Sequence, residues 1–323
     1  MTSNDALLVC GSGVSTGIPR LSCVLTNASG YAGHYGMYQF CKVCDHALNV
    51  PGSRNKRGNV QIAVRHDGRI VLVDAGKTMR ESLLAHFPAA KFTHIDAVLL
   101  THGHADAFMG MDDLRDLQMP YKTGPGDAAV KQQSVLPVYC NKPTYETVRE
   151  AFPYLTETPS PEEASVRRVA MLDFRIIQDK QSFEPVERFR IQSIPLWHGN
   201  QYVSLGYIFY ALGRLKNAKI CHLSDVSEVS PDTLDFLLEE SAAAPFDVLL
   251  VDCLLKKDWY STHFGLPDAL ELVRRLRPKR TLLIGMTCRG FGLHDKMNKE
   301  LHQLQETEGL RVELAYDGLL CEF

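Results

Sequence analysis

The stretch Thr101-His102-Gly-His104-Ala-Asp106 puts two imidazoles and a carboxylate directly after the apolar run Ile95–Leu100. A His-x-His pair on a short loop lets both rings point at one ion, and Asp106 lies two residues beyond. Zinc takes three or four such nitrogen and oxygen ligands and leaves one position for water. Other polar residues able to bind metal fall at the ends of apolar runs: Asp74, His198, Asp225 and Asp252. Any one of these, taken singly, reads as a satisfied core or surface residue. His102, His104 and Asp106 together, right after a strand, read as a metal site.

A second group is built from thiols. Cys41-Lys-Val-Cys44 has the spacing of a zinc knuckle, and Cys23 lies upstream. A lone C-x₂-C pair is also compatible with idle or redox-active thiols. The chain has nine cysteines, an odd number, and its start (a polar Met1–Asp5, then the short apolar run Ala6–Cys10) has no export signal. Reduced thiols and metal ligands are therefore expected rather than a disulfide framework, in a cytoplasmic setting. No apolar run approaches the length of a membrane span, so no membrane association is expected.

The elements that must position these groups alternate along the chain. Ala6–Cys10, Val60–Val64, Arg69–Asp74 and Ile95–Leu100 read as strands, with a hairpin turn at His66-Asp-Gly68. Thr78–His86 has helical spacing and is expected to stop at Pro88. Later strands are expected at Phe189–Leu196, Ser204–Ala211, Lys219–Leu223, Phe246–Asp252, Arg280–Met286 and Leu310–Ala315. Helices are expected over Pro231–Ser241, Pro267–Leu276 and Asp295–Glu308. Tyr121–Gln133 and Thr156–Ala164 read as looser stretches. No composition break marks a boundary, so residues 1–323 read as one domain with two mixed βα halves, carrying a knuckle-like loop at about 20–50.

Composition narrows the function. Of 323 residues 45% are hydrophobic and 23% charged, which excludes a mainly disordered chain. Thirty-five basic against 38 acidic residues leave a net charge of −3, which argues against a protein built to coat nucleic acid. The basic runs Ser53–Arg57 and Arg274–Arg280 could meet a phosphate-rich ligand, although the second also suits a solvated helix end. Lys77 and Arg289 are further candidate anion contacts.

Taken in order, Val73-Asp74-Ala-Gly76, Thr101–Asp106, Pro195-Leu-Trp-His198, Leu223-Ser-Asp225, Val251-Asp-Cys253, His263 and Tyr316-Asp-Gly318 resemble the metallo-β-lactamase fold hydrolases. The likeness covers nearly the whole chain. It is nearest to the branch containing the phosphoribosyl 1,2-cyclic phosphate phosphodiesterases, as are Gly11-Ser-Gly13 and Arg57-Gly-Asn59; the tRNA 3′-processing endonucleases are more distant. The resemblance implies an α/β (α+β), four-layer αββα sandwich with metal between the sheets. It assigns His102, His104 and His198 to a first metal, Asp225 to a bridge and Asp106 to a second. It implies a structural zinc on Cys23, Cys41, Cys44 and His294, with His46 and Cys288 as competing fourth ligands.

Two positions depart from that pattern. Ala107 stands where the signature has its second His, and Cys288 where a last His is usual. A Cys288 thiolate can replace imidazole at zinc, and a buried packed thiol is the alternative. The implied cofactors are one structural zinc and one or two catalytic ions, zinc or manganese. The expected activity is metal-dependent hydrolysis of a small or cyclic phosphodiester by water acidified on the metal, with Asp106 orienting that water and His263 assisting the leaving group. Nucleic acid is the lesser substrate, and a homodimer is compatible. Two rivals remain, a tRNA-processing type of endoribonuclease and a catalytically weak binding protein that kept the fold.

Overall fold

The computed structural model describes residues 5–29, 40–118, 120–123, 130–157, 169–213, 217–258 and 260–323. Trp259, part of Tyr121–Gln133 and most of Thr156–Ala164 lie outside them.

Among the described residues, sixteen strands build two seven-stranded mixed sheets and one small hairpin. The first half supplies β1 (Ala6–Gly11), β2 (Gln61–His66), β3 (Arg69–Val73), β4 (Ala97–Leu99), β5 (Pro120–Thr123), β6 (Val130–Gln133), β7 (Leu136–Cys140) and β8 (Leu172–Ile176). The second half supplies β9 (Ser182–Phe183), β10 (Ile191–Trp197), β11 (Val203–Leu212), β12 (Ala218–Leu223), β13 (Val248–Asp252), β14 (Thr281–Ile284), β15 (Val312–Leu314) and β16 (Leu319–Glu322). The first sheet runs β16-β1-β2-β3-β4-β7-β8 and the second β15-β14-β13-β12-β11-β10-β9, while β5 and β6 pair with each other.

Strand alternation explains the layers. Leu7, Val9, Ile62, Val64, Val71 and Val73 point inward and pack on Leu205, Tyr207, Phe209, Ile220, Leu250 and Ile284 of the other sheet. The opposite face of the first sheet carries Leu8, Ile70, Leu72 and Val98, covered by Met79, Leu83 and Phe87 of the helix Met79–Ala90. The outer face of the second packs on the helices Leu266–Leu276 and His294–Glu308. This is the expected four-layer αββα sandwich.

Three local readings change. The helix over Met79–Ala90 continues through Pro88, which falls in its last turn, with Leu84 four residues earlier on the exposed face. The stretch at 20–50 is not an irregular loop: it carries the helices Leu21–Ser29 and Lys42–Asn49. The helix Lys142–Ala151 went unread although Asn141 caps it, accepting from the Thr144 N–H.

The β2–β3 hairpin is clasped to the second half by Asp5, which accepts from His66 Nδ1 at 2.5 Å, Gly213 N at 2.6 Å and Asp67 N at 3.0 Å. Burial pushes this carboxyl up, but those hydrogen bonds outweigh it and hold it below its ordinary 3.8. A depressed carboxyl adds stability above 3.8, which is lost as the pH falls through the folded value. Asp5→Asn should therefore be less stable than the parent at neutral pH, with the gap closing below about pH 4. Urea midpoints measured from pH 2 to 7 check this; a constant gap would contradict it.

Candidate active site

One carboxylate and two loops set the first imidazole. After β3 the chain turns at Asp74 in the left-handed region, φ 64°. Its carboxylate accepts from the Thr101 N–H and the Thr101 hydroxyl, both at 2.8 Å. With that hydroxyl proton committed to Asp74, the Thr101 oxygen receives His102 Nδ1–H at 2.8 Å. This leaves His102 Nε2 as a lone pair, buried and without a hydrogen-bond partner. The second sheet holds the same loop in place: Leu205 N–H donates to Thr101 O, and Tyr207 O–H to Leu100 O. A Cβ on Gly76 would lie 1.7 Å from the Asp106 carbonyl, so only glycine lets the Asp74 turn pack on the His-x-His loop.

His198, past the end of β10, donates Nδ1–H to Thr262 O at 2.7 Å, which frees Nε2. That Nε2 lies 3.3 Å from His104 Nδ1 and 4.0 Å from Asp225 Oδ1; His102 Nε2 is 3.8 Å from the same oxygen and 4.0 Å from Asp106 Oδ1. Donors about 3.3–3.5 Å apart are what a tetrahedral ion with bonds near 2.1 Å requires. The orphaned lone pair and this spacing fit a metal ion held by His102, His104, His198 and Asp225.

The electrostatics agree. Burial lowers His102 to about 4, and burial and His198 lower His104, so both rings are neutral and able to ligate. Burial would raise Asp225, but His102, His263 and His198 outweigh it and hold it ionised, at about 2. Asp74 is pushed well above the carboxylate range by burial and by repulsion from Asp225 and Asp106, against its bonds from Thr101. A cation among these acids offsets that repulsion.

His263 lies beside the cluster, its ring centroid 4.8 Å from that of His198. His263 Nδ1 is 2.7 Å from Asp252 Oδ2, and burial of the ring is outweighed by Asp252, which pushes the imidazole up to about 9. Gly285, at φ 77°, permits the dyad: a Cβ there would lie 2.5 Å from Asp252 Oδ1.

The two tentative ligand assignments are corrected. Cys288 is not at the histidines; Cys23, Cys41, Cys44 and Cys288 bring their sulfurs within 4.8 Å of one another, with Cys23 and Cys288 at 3.9 Å. The reason is topological. Met286 bridges Gly13 beyond the end of β14, which turns the following residues toward the N-terminal helices. His294 is not the fourth partner: its Nδ1 lies 3.0 Å from Arg57 Nη2 and its Nε2 3.0 Å from Asn298 Nδ2, so neither nitrogen is free. His46 lies outside the thiol group as well, its Nδ1 held by Ser53 at 2.8 Å. Zn–S bonds near 2.3 Å place sulfurs about 3.8 Å apart, so the four thiols fit one closed tetrahedral ion. Hydrogen bonds from Cys288 and Cys44 lower the Cys41 thiol, and the same contacts raise Cys44 and Cys288.

Arg57 is likewise withdrawn from ligand binding, since it is buried and donates to Ser12 Oγ, Ala315 O and His294. In the second basic run, Arg274, Lys279 and Arg280 pair with Glu308, Asp247 and Glu313. Lys77 and Arg289 are exposed. Ala107 is buried and offers no donor. Reading the sequence missed Thr101 and Tyr202 as partners of the ligands; a hydroxyl residue directly before the His-x-His pair was a usable signal for the first.

Residues 69–286, more than half of the chain, match the Beta-lactamase superfamily domain. The chain belongs to that family. Family members with this fold are metallo-β-lactamase-type hydrolases, and all four clustered cysteines lie outside the matched stretch. A diphosphatase of the PhnP family has a similar structure, at 24% identity and a TM-score of 0.71, covering 99% of this chain and 98% of its own. Zn²⁺-bound PqqB from Methylobacterium extorquens is similar at 16% identity and TM-score 0.69, covering 98% and 100%. An octanoyltransferase of Porphyromonas gingivalis (strain ATCC BAA-308 / W83) is 22% identical over 316 residues, 97% of this chain. The chain spans half the length of that relative. Among the described residues no helix is long and apolar enough to cross a membrane.

Proposed function

We propose that this protein hydrolyses a small phosphodiester at the His102–His104–His198–Asp225 centre, with one catalytic ion and one structural zinc on Cys23, Cys41, Cys44 and Cys288. One observation carries the reading: a free, buried His102 Nε2 converges with two other imidazoles, with Asp225 against them and His263 hydrogen-bonded to Asp252 beside them. The ion, when bound, supplies Lewis acidity that makes water nucleophilic near neutral pH and offsets charge on the phosphoryl oxygens. The chain's residues do the rest. Asp106 orients the attacking water and takes its proton as the new P–O bond forms. His263 gives its proton to the departing oxygen as the old P–O bond breaks, so a monoester and an alcohol leave together. Asp252 fixes the tautomer of His263 and stabilises its charge.

One catalytic ion is the count this reading favours: Ala107 has no donor, Cys288 belongs to the thiol cluster, and the other group able to hold an ion, His198, Asp225 and His263, uses the imidazole assigned here as the acid. Metal analysis of purified protein should find one ion at the histidines and one at the cysteines; a second ion at the histidines would contradict this.

The reaction is tested with diesters of graded leaving group. His263→Ala should slow a methyl or ribose leaving group by about 10²–10⁴-fold and a nitrophenolate far less, because only the poor one needs a proton in the transition state. Equal losses would move His263 from acid to phosphate binding. No turnover of any diester by well-folded, metal-loaded protein would favour the binding-protein rival.

A further inference from the structure

Of the three clustered imidazoles, two have their second nitrogen fixed by the protein. His102 Nδ1 meets Thr101 and His198 Nδ1 meets Thr262 O. A ligating imidazole ordinarily needs such a partner to hold its ring in register with the ion. His104 has none: it is exposed, and among the described residues its Nε2 makes no hydrogen bond. What lies on it instead is Tyr202, whose ring stacks on the His104 ring at 5.1 Å between centroids with 7° between planes.

Tyr202 touches the rest of the cluster as well. Its hydroxyl accepts from the Gly103 N–H, the amide between the two loop imidazoles, at 2.9 Å. Its carbonyl accepts from the His198 N–H at 2.8 Å, where the chain leaves β10 for β11. Its ring stands edge-on to His102 at 6.3 Å and to His198 at 6.1 Å. One residue thus contacts the ring of His104, the turn that carries it and the backbone of His198.

We infer that Tyr202 is the positioning residue for His104, replacing with a stacked ring the hydrogen bond that His102 and His198 obtain elsewhere, and that it sets the affinity of the catalytic centre for its ion. The inference rests on the metal reading above. Stacking restricts an exposed imidazole to one plane without consuming either nitrogen. The hydroxyl adds a second restraint by fixing the peptide between His102 and His104. The ring therefore matters more than the hydroxyl, since the hydroxyl acts on a peptide already held from both sides by Thr101 and the helix Ala105–Phe108.

The test is metal affinity rather than turnover. Protein stripped at the histidines but retaining its cysteine-bound zinc is titrated with Co²⁺ against a chelator, reading the visible bands of the tetrahedral ion. Tyr202→Leu should weaken Co²⁺ binding by about 10–100-fold, the range for losing a ligand's supporting partner. Tyr202→Phe, which keeps the ring, should weaken it less than about threefold, and both variants should keep their cysteine-bound zinc. Equal affinity in Tyr202→Leu and the parent overturns the inference while leaving the metal reading intact. A tenfold or larger loss in Tyr202→Phe also overturns it, and that variant serves if Tyr202→Leu does not fold. A parent protein that takes up no Co²⁺ at the histidines overturns the metal reading and this inference together.

Discussion

Replacing His102 with Ala is expected to abolish diester hydrolysis, by about 10³-fold or more, while the protein stays folded and keeps its cysteine-bound zinc. The magnitude follows from what the ion contributes. Lewis-acid stabilisation and acidification of water together supply several kcal/mol of the barrier, and every 1.4 kcal/mol is about a factor of ten. His102 is the most constrained ligand, held by Thr101 and Asp74, and its Nε2 is the buried atom without a partner. Its removal takes a preset donor from the ion and leaves three. The expected result is therefore loss of turnover together with loss of one equivalent of metal. Full metal content with no turnover would place the ion elsewhere, and retained turnover would remove it from the reaction.

Cys288→Ser is expected to release the structural zinc and destabilise the N-terminal helices, whereas His294→Ala should keep the ion. A hydroxyl is a poor zinc ligand, so the substitution breaks a four-sulfur set whose binding energy is also folding energy. The ion would tie Leu21–Ser29 and Lys42–Asn49 to the segment after β14, contacts that the small apolar cluster of Ile18, Val43, Ala47 and Leu293 supports only weakly. Zinc content, thermal unfolding and proteolysis within residues 20–50 are the measurements. Unchanged zinc in Cys288→Ser, or its loss in His294→Ala, would restore the Cys₃His assignment. Catalytic-site metal should change little in either variant, because the thiol cluster and the histidine cluster share no residue.

Much of this could be read before any coordinates. The His102–His104–Asp106 spacing, the acids at strand ends and the alternation of apolar runs are local signals, and each maps onto a local fact: an imidazole pair needs a short loop, and a buried strand needs period-two or continuous apolar residues. Their order read as one domain with two mixed βα halves, and the resemblance to the metallo-β-lactamase fold hydrolases implied the αββα layering. What the sequence left undecided depended on where chain segments far apart in number meet. Cys288 and His294 lie on either side of one short loop, and both are chemically able to bind zinc. Only the bridge from Met286 to Gly13 brings the thiol to Cys23, and only the buried Arg57 and Asn298 occupy the imidazole. Tyr202 carries no signal at all, because stacking on His104 depends on the path between β10 and β11 rather than on any spacing. The residue types determined which chemistry was available; the packing of the two sheets decided which lone pairs were left free to perform it.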